Sequence, residues 1–294
     1  MLTMSKFRYE KPGDLKRAFR YLSDSTSPKI LAGGTDLIVQ MKRDLVQCDL
    51  VLDIKGLTSL TQIQETDNGE LRVGAAVTLT QLERWVKDHP EWSPLASSIF
   101  GIGSQQIRNR ATVLGNICRA SPAGDMAPLL MTFDASVAVS SPQGNRIMAL
   151  DEFVIGPGQI AATKDEIVTS LHIPALPSHT GAVYIKHGIR SAMEVAIVGV
   201  AVRIGIDKKT SRVTEARLAI GAVTAMPIRV PRAEEQILNS GDAFPDLDVV
   251  STLVLEMAKP IDDFRSSAVY RRDMIDVCVR RAVTQTWEQL RGGK

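Results

Sequence analysis

Lys29-Ile30-Leu31-Ala32-Gly33-Gly34-Thr35-Asp36-Leu37 is the stretch on which the reading of the fold turns. A short apolar strand, Ile30 to Ala32, runs straight into two glycines, and Leu37-Ile38-Val39-Gln40-Met41 follows with the make-up of a helix. The glycines therefore fall at a strand-to-helix junction. Glycine at such a place lets backbone N–H groups approach phosphate oxygens with no Cβ between them, and the positive end of the following helix adds to the attraction. The triplet Gly-Gly-Thr alone reads equally well as an ordinary tight turn. It is not GxGxxG, so it does not specify a Rossmann nicotinamide fold.

Working outward, Leu15, Ala18, Phe19 and Leu22 recur at helical spacing behind Pro12-Gly13-Asp14 and predict a first helix with its start signal. Leu50 to Ile54 and Leu71 to Ala75 read as strands, and Thr78-Leu79-Thr80-Gln81 as a capping box opening a helix with Leu82, Trp85 and Val86 inward. Ser93-Pro94 opens another helix, Asp125 to Phe133 a further one, and Pro142-Gln143-Gly144-Asn145 a hairpin. Between them lies a run of small and polar residues, Gln106 to Ile117 followed by Ala120-Ser121-Pro122-Ala123-Gly124-Asp125. As a surface loop of that length it reads either as a ligand loop or as plain connection. Asp125 reads as an acceptor for ribose hydroxyls or as the N-cap of the next helix.

Alternating Ile167, Thr169, Leu171 and Ile173 form a strand ending at Pro174, and Pro174-Ala175-Leu176-Pro177-Ser178 is the best linker. The boundary is placed there, giving residues 1–176, split again near 57–60, and 177–294. The second part carries strand-like runs at Ala182 to Lys186, Val195 to Ile204 and Ala216 to Gly221, helical spacing at Val250, Leu253, Val254 and Met257, and a last helix with Met274, Val277 and Cys278 on one face. The order is α+β.

A net charge of +2 leaves no footprint for nucleic acid or an anionic membrane. The longest apolar run, Val195 to Val202, is far short of the roughly 20 residues of a membrane span. With no secretory apolar core near residue 1, the cytoplasm is the expected compartment. Cys48, Cys118 and Cys278 are too far apart for a disulfide framework or an iron–sulfur motif, and His89, His172, His179 and His187 lack metal-ligand spacing. No metal is expected on this chain, and no nucleophile or catalytic triad stands out.

The order and spacing of Ala32-Gly33-Gly34-Thr35-Asp36-Leu37, Gln106-Ile107-Arg108-Asn109, Thr112-Val113-Leu114-Gly115-Asn116 and Ala120 to Asp125 resemble the FAD-binding subunits of molybdenum hydroxylases, the xanthine, carbon monoxide and nicotinate dehydrogenases among them. The likeness runs on through Gly156-Pro157-Gly158, Asp165-Glu166-Ile167, Lys186, Arg190 to Glu194, and Asp262 to Arg271. It implies a two-subdomain FAD-binding domain of the vanillyl-alcohol-oxidase (PCMH) type followed by a smaller α+β domain of the CO dehydrogenase flavoprotein type. It further implies that Lys29, Ile30, Leu31, Ala32, Gly33, Gly34, Thr35, Asp36 and Leu37, with Thr112, Val113, Leu114, Gly115 and Asn116, wrap the FAD diphosphate through backbone N–H groups. Asp125 would hold the ribose or adjacent groups, Ile102 and Ile167 would lie against flavin or adenine, and Lys186 would stand near the isoalloxazine.

Where the family usually carries two glycines, this chain has Leu114-Gly115, so a leucine there must turn its side chain from the phosphates and avoid positive φ. The resemblance places a molybdopterin-type cofactor on a large partner subunit and two [2Fe–2S] clusters on a small one, in a dimer of heterotrimers. This chain's FAD would collect electrons and pass them to NAD or another acceptor during oxidation of a purine or other N-heteroaromatic. The competing readings are a stand-alone FAD-dependent oxidase or dehydrogenase, and a flavin-free scaffold subunit.

Overall fold

The computed structural model describes residues 4–190 and 192–292. The chain begins β1 (Arg8–Glu10), α1 (Leu15–Ser23), β2 (Pro28–Leu31), α2 (Leu37–Lys42), β3 (Leu50–Asp53), β4 (Ile63–Glu65), β5 (Leu71–Gly74), α3 (Leu79–Lys87) and α4 (Pro94–Phe100). It continues α5 (Gln105–Arg108), α6 (Val113–Cys118), α7 (Met126–Thr132), β6 (Ser136–Ser141), β7 (Gly144–Ala149), α8 (Leu150–Phe153), β8 (Val154–Gly156), β9 (Gln159–Ile160) and β10 (Ile167–Ile173). The remainder is β11 (Thr180–His187), β12 (Val198–Ile206), β13 (Val213–Gly221), β14 (Ile228–Arg229), α9 (Pro231–Leu238), α10 (Leu247–Met257) and α11 (Ala268–Arg291).

The helix starts follow the chemistry expected of them. The Asp14 carboxylate accepts the Arg17 N–H at 2.7 Å and caps α1, whose Ala18 and Leu22 are buried. Thr78 and Gln81 form the reciprocal capping box of α3. The strands β1, β3 and β2 make a parallel three-stranded sheet with β2 on its edge. A five-stranded sheet, β4-β5-β10-β6-β7, stands beside it, and the β6–β7 hairpin turns at Pro142-Gln143.

The C-terminal strands form a four-stranded antiparallel sheet in sequential order, β11 to β14. Its two faces differ in side-chain size because alternate residues of a strand face opposite ways. Val198, Val200, Val202, Ile204, Leu218 and Ile220 pack with Ile237, Val250, Val254, Ile275, Val279 and Val283 of the last three helices. Ala182, Ala201 and Ala219 turn the other way, into the core shared with the N-terminal sheets. These small residues let α7 lie close: a Cβ on Gly221 would come within 2.9 Å of Pro128 Cγ. Helix α7 is thereby sandwiched, every residue from Met126 to Thr132 buried.

The run from Gln106 to Ile117 is not a surface loop. Ser104 and Thr112 cap two short helices, α5 and α6, and Arg108, Thr112, Val113, Leu114 and Ile117 are buried. Cap spacing carried that signal: a Ser or Thr three residues ahead of the N–H it bonds, twice in succession. The last helix also differs, its buried face being Ile275, Cys278, Val279, Ala282 and Val283 with Met274 and Val277 at the margin. Among the described residues no helix is long and apolar enough to cross a membrane, and no three His, Cys, Asp or Glu side chains are grouped to hold a metal.

Candidate functional site

The glycine stretch sits at the end of β2, all of whose residues are half-buried. Lys55 fastens the strand end, its Nζ donating to the Ala32 carbonyl at 3.1 Å while paired with Asp53 at 2.8 Å. Gly34 has φ +74°, a left-handed conformation that suits glycine. Gly33 lies so close to the second stretch that a Cβ on it would stand 2.2 Å from the Arg110 carbonyl oxygen and 2.7 Å from Ala111 Cα. The two stretches, separated by over 70 positions in sequence, are thus one composite turn. Asp36 pairs with Arg119 across it.

One feature of this turn fits an anionic ligand. The backbone N–H groups of Gly34, Thr35, Asp36 and Leu37 donate to no acceptor among the described residues, although the turn is largely half-buried. Asn116 Oδ1, an acceptor oxygen, is buried without a hydrogen-bond partner among the described residues and calls for a donor such as a hydroxyl or water, not for an anion. Unpartnered polar groups in such a setting want a ligand or water. Helix α2 is only six residues long, so its dipole adds little to what the N–H groups supply directly.

A second cluster lies where α7 meets β11. Asp125 stands at the N-cap of α7 but makes no capping bond. Its Oδ1 accepts the Tyr184 hydroxyl at 2.9 Å and its Oδ2 the Lys186 ammonium at 3.0 Å. Lys186 also donates to the carbonyls of Gly101 at 2.7 Å and Glu194 at 2.6 Å. Burial pushes the Asp125 carboxyl above its ordinary value, against the opposing pull of Lys186 and the Tyr184 hydroxyl. Burial, followed by the Asp125 charge, pushes the Tyr184 phenol well upward. Arg108 holds the adjoining turn from inside, its guanidinium donating to the Ile102 carbonyl at 3.1 Å.

Residues 5–176 match the family described as the FAD binding domain in molybdopterin dehydrogenase. This chain belongs to the FAD-binding medium subunits of the molybdenum hydroxylases. Residues 184–286 match the CO dehydrogenase flavoprotein C-terminal domain. The xanthine dehydrogenase FAD-binding subunit of Escherichia coli O157:H7 is 31% identical over 278 residues, 94% of each chain. The nicotinate dehydrogenase FAD-subunit of Eubacterium barkeri is 28% identical over 99% of each. Among solved structures, carbon monoxide dehydrogenase from Hydrogenophaga pseudoflava superposes with a TM-score of 0.91 at 26% identity, over 97% of this chain and 98% of that one. As a medium subunit the chain is part of an oxidoreductase, built of mixed helix and sheet as expected.

Within a medium subunit, the residues expected at FAD fall into three groups. Lys29 to Leu37 present surface, as do Gly115 and Asn116. Thr112, Val113 and Leu114 are buried; Leu114 is 1% exposed and packs in the main core, with no positive φ, so it neither plugs the turn nor strains it. Ile167 is 0% exposed and Ile102 8%, so both side chains lie within the main core. Asp125 and Lys186 meet, which turns an expected pair of separate contacts into one ion pair and rules out Lys186 as a free surface lysine.

Tyr184 escaped the sequence reading, although it lies two residues before Lys186 and hence on the same strand face. Of the run Arg190 to Glu194, Ser191 lies outside the described residues; Arg190 pairs with Glu194 at 3.0 Å. Within the Asp262 to Arg271 motif, Arg271 ties Asp263 to the carbonyls of Ile197 and Ala222. Burial pushes the Cys118 thiol up to about 12 and Cys278 to about 11, so neither offers a thiolate.

Truncating Leu114 tests its placement. Leu114→Ala is expected to lower stability by about 3 kcal/mol, as for other fully buried leucines, in urea unfolding, with flavin content per folded chain unchanged. Lost flavin at full stability would instead put this side chain at the ligand.

Proposed function

We propose that this chain holds one FAD, with the N–H groups of the 33–37 turn and the edge formed by exposed Gly115 and half-buried Asn116 on the diphosphate, Asp125 toward the ribose or adjacent groups, and Lys186 toward the flavin ring. The observation that carries this reading is the composite turn, where the N–H groups of Gly34, Thr35, Asp36 and Leu37 have no acceptor among the described residues. Bound FAD supplies one- and two-electron chemistry, leaving this chain to bind, orient and tune it.

In this reading the chain would hold FAD where it could accept electrons from [2Fe–2S] clusters of a small partner subunit and hand them to NAD or another carrier. A molybdopterin-type cofactor on the large partner subunit would supply the oxidation of a purine or related N-heteroaromatic, in a dimer of heterotrimers. The relatives named for xanthine and nicotinate support that substrate class. We place the boundary between FAD-binding and C-terminal domains at 176/177 and the split within the first near 57–60.

Purified full-length chain is expected to show flavin absorbance, and the flavin should be reduced by a purine only when the partner subunits are added. Reduction by the chain alone would favour a self-sufficient dehydrogenase. No flavin bands after incubation with FAD would overturn the cofactor assignment itself.

A further inference from the structure

We propose that Tyr184 is a positioning residue for the flavin: its hydroxyl, seated over Gly199, fixes the Asp125 carboxylate and through it the point at which the Lys186 ammonium stands. The inference rests on the reading that places Lys186 toward the flavin ring.

The three N–H bonds of Lys186 are all taken, by the Gly101 and Glu194 carbonyls and by Asp125 Oδ2. Two of these acceptors belong to the backbone. The third is a carboxylate, free to turn about its own side-chain bond unless its other oxygen is held. Asp125 receives no N–H from the start of α7, so nothing local holds it. Among the described residues the Tyr184 hydroxyl is the one donor on Oδ1.

Tyr184 is itself placed by its neighbour strand. A Cβ on Gly199 would come 2.9 Å from the hydroxyl oxygen but 3.4 Å from the ring, so the strand leaves room for the oxygen in particular. A buried phenylalanine would fill the same core. The hydroxyl contributes a held carboxylate, and through it a fixed cation. A charge beside a bound flavin shifts its potential by an amount set by distance, the more strongly in a shielded site.

The test uses full-length chain loaded with FAD and compares Tyr184→Phe, Gly199→Ala, the double variant and Lys186→Met by flavin content, thermal midpoint and reduction potential. Tyr184→Phe should keep its FAD and change the reduced-to-oxidised ratio at fixed ambient potential about tenfold, which is ~30 mV for a two-electron couple. Gly199→Ala keeps the hydroxyl but displaces it, so it should reproduce the shift and carries the test should the phenylalanine variant fail to fold. The double variant should be no worse than Tyr184→Phe, since the added methyl no longer meets the oxygen; independent roles would instead add. A potential that moves in Lys186→Met but not in Tyr184→Phe or Gly199→Ala overturns the role of Tyr184. A potential unmoved in Lys186→Met overturns the placement of Lys186 toward the ring.

Discussion

Asp134→Asn should destabilise the chain by about 3 kcal/mol, toward the lower end of what breaking a buried ion pair costs, whereas Arg203→Met should cost far less. Asp134 follows α7 and faces three arginines of the C-terminal sheet. Its Oδ2 accepts Arg203 at 2.8 Å, and its Oδ1 accepts Arg217 and Arg229 at 3.0 Å each. Arg203 is 4% exposed, and burial works against its charge while Asp134 and Glu215 restore it. Removing Asp134 leaves that buried cation with Glu215 alone, among two further arginines. Removing Arg203 instead takes the buried charge away and leaves carboxylates that are a third exposed and reach water.

Both ends of α7 are therefore pinned to the same sheet, Asp125 to β11 and Asp134 to β12, β13 and β14. Loosening the Asp134 end should also loosen the Asp125–Lys186 pair and speed FAD loss. Urea unfolding followed by tryptophan fluorescence, with FAD release alongside, checks both parts. Equal losses for Asp134→Asn and Arg203→Met would sink the argument that the buried cation is what the clamp serves.

What the sequence made legible was local. The caps of α1 and α3, the glycine junction after β2 and the existence of strand β10 all depend on residues within a few positions of each other and match the structure. The alternation expected along β10, by contrast, is broken by a bulge between Val168 and Ser170 that leaves Ile167 and Val168 both buried. Pairings between distant residues were not visible. Nothing in Gly33 announces that its neighbour is the Arg110 carbonyl, and nothing in Tyr184 announces Asp125. The stretch from Gln106 to Ile117 was misread because small polar residues suggest loops, while here they cap and pack two short helices against a core. Leu114 looked like a defect in a phosphate turn because its helical side-chain direction, inward with Val113 and Ile117, could not be assigned before α6 was recognised. The resemblance supplied Lys186, yet its three partners come from widely separated turns that no spacing rule connects.

The glycine substitutions should separate the protein's own needs from the ligand's. Gly33→Ala is expected to abolish FAD retention, because its Cβ would lie 2.2 Å from a backbone oxygen and 2.7 Å from a backbone carbon, and backbone cannot swing aside as a side chain can. The 33–37 turn must then separate from the 110–111 segment, and the composite cradle opens even before a ligand arrives. The damage begins in the fold, so a bulkier Gly33→Val would not leave the chain locally intact. At Gly115 the added Cβ would meet only the Thr112 hydroxyl at 2.7 Å, the oxygen that caps α6. Losing that cap costs about 1 kcal/mol, and Gly115 is exposed, so the protein itself tolerates alanine there. Urea midpoints and FAD dissociation constants for both variants tell the causes apart. Gly33→Ala should lose both stability and FAD. Gly115→Ala should lose FAD affinity well beyond its small stability cost if the diphosphate approaches that edge, and a loss no larger than the cap accounts for would remove Gly115 from the cradle.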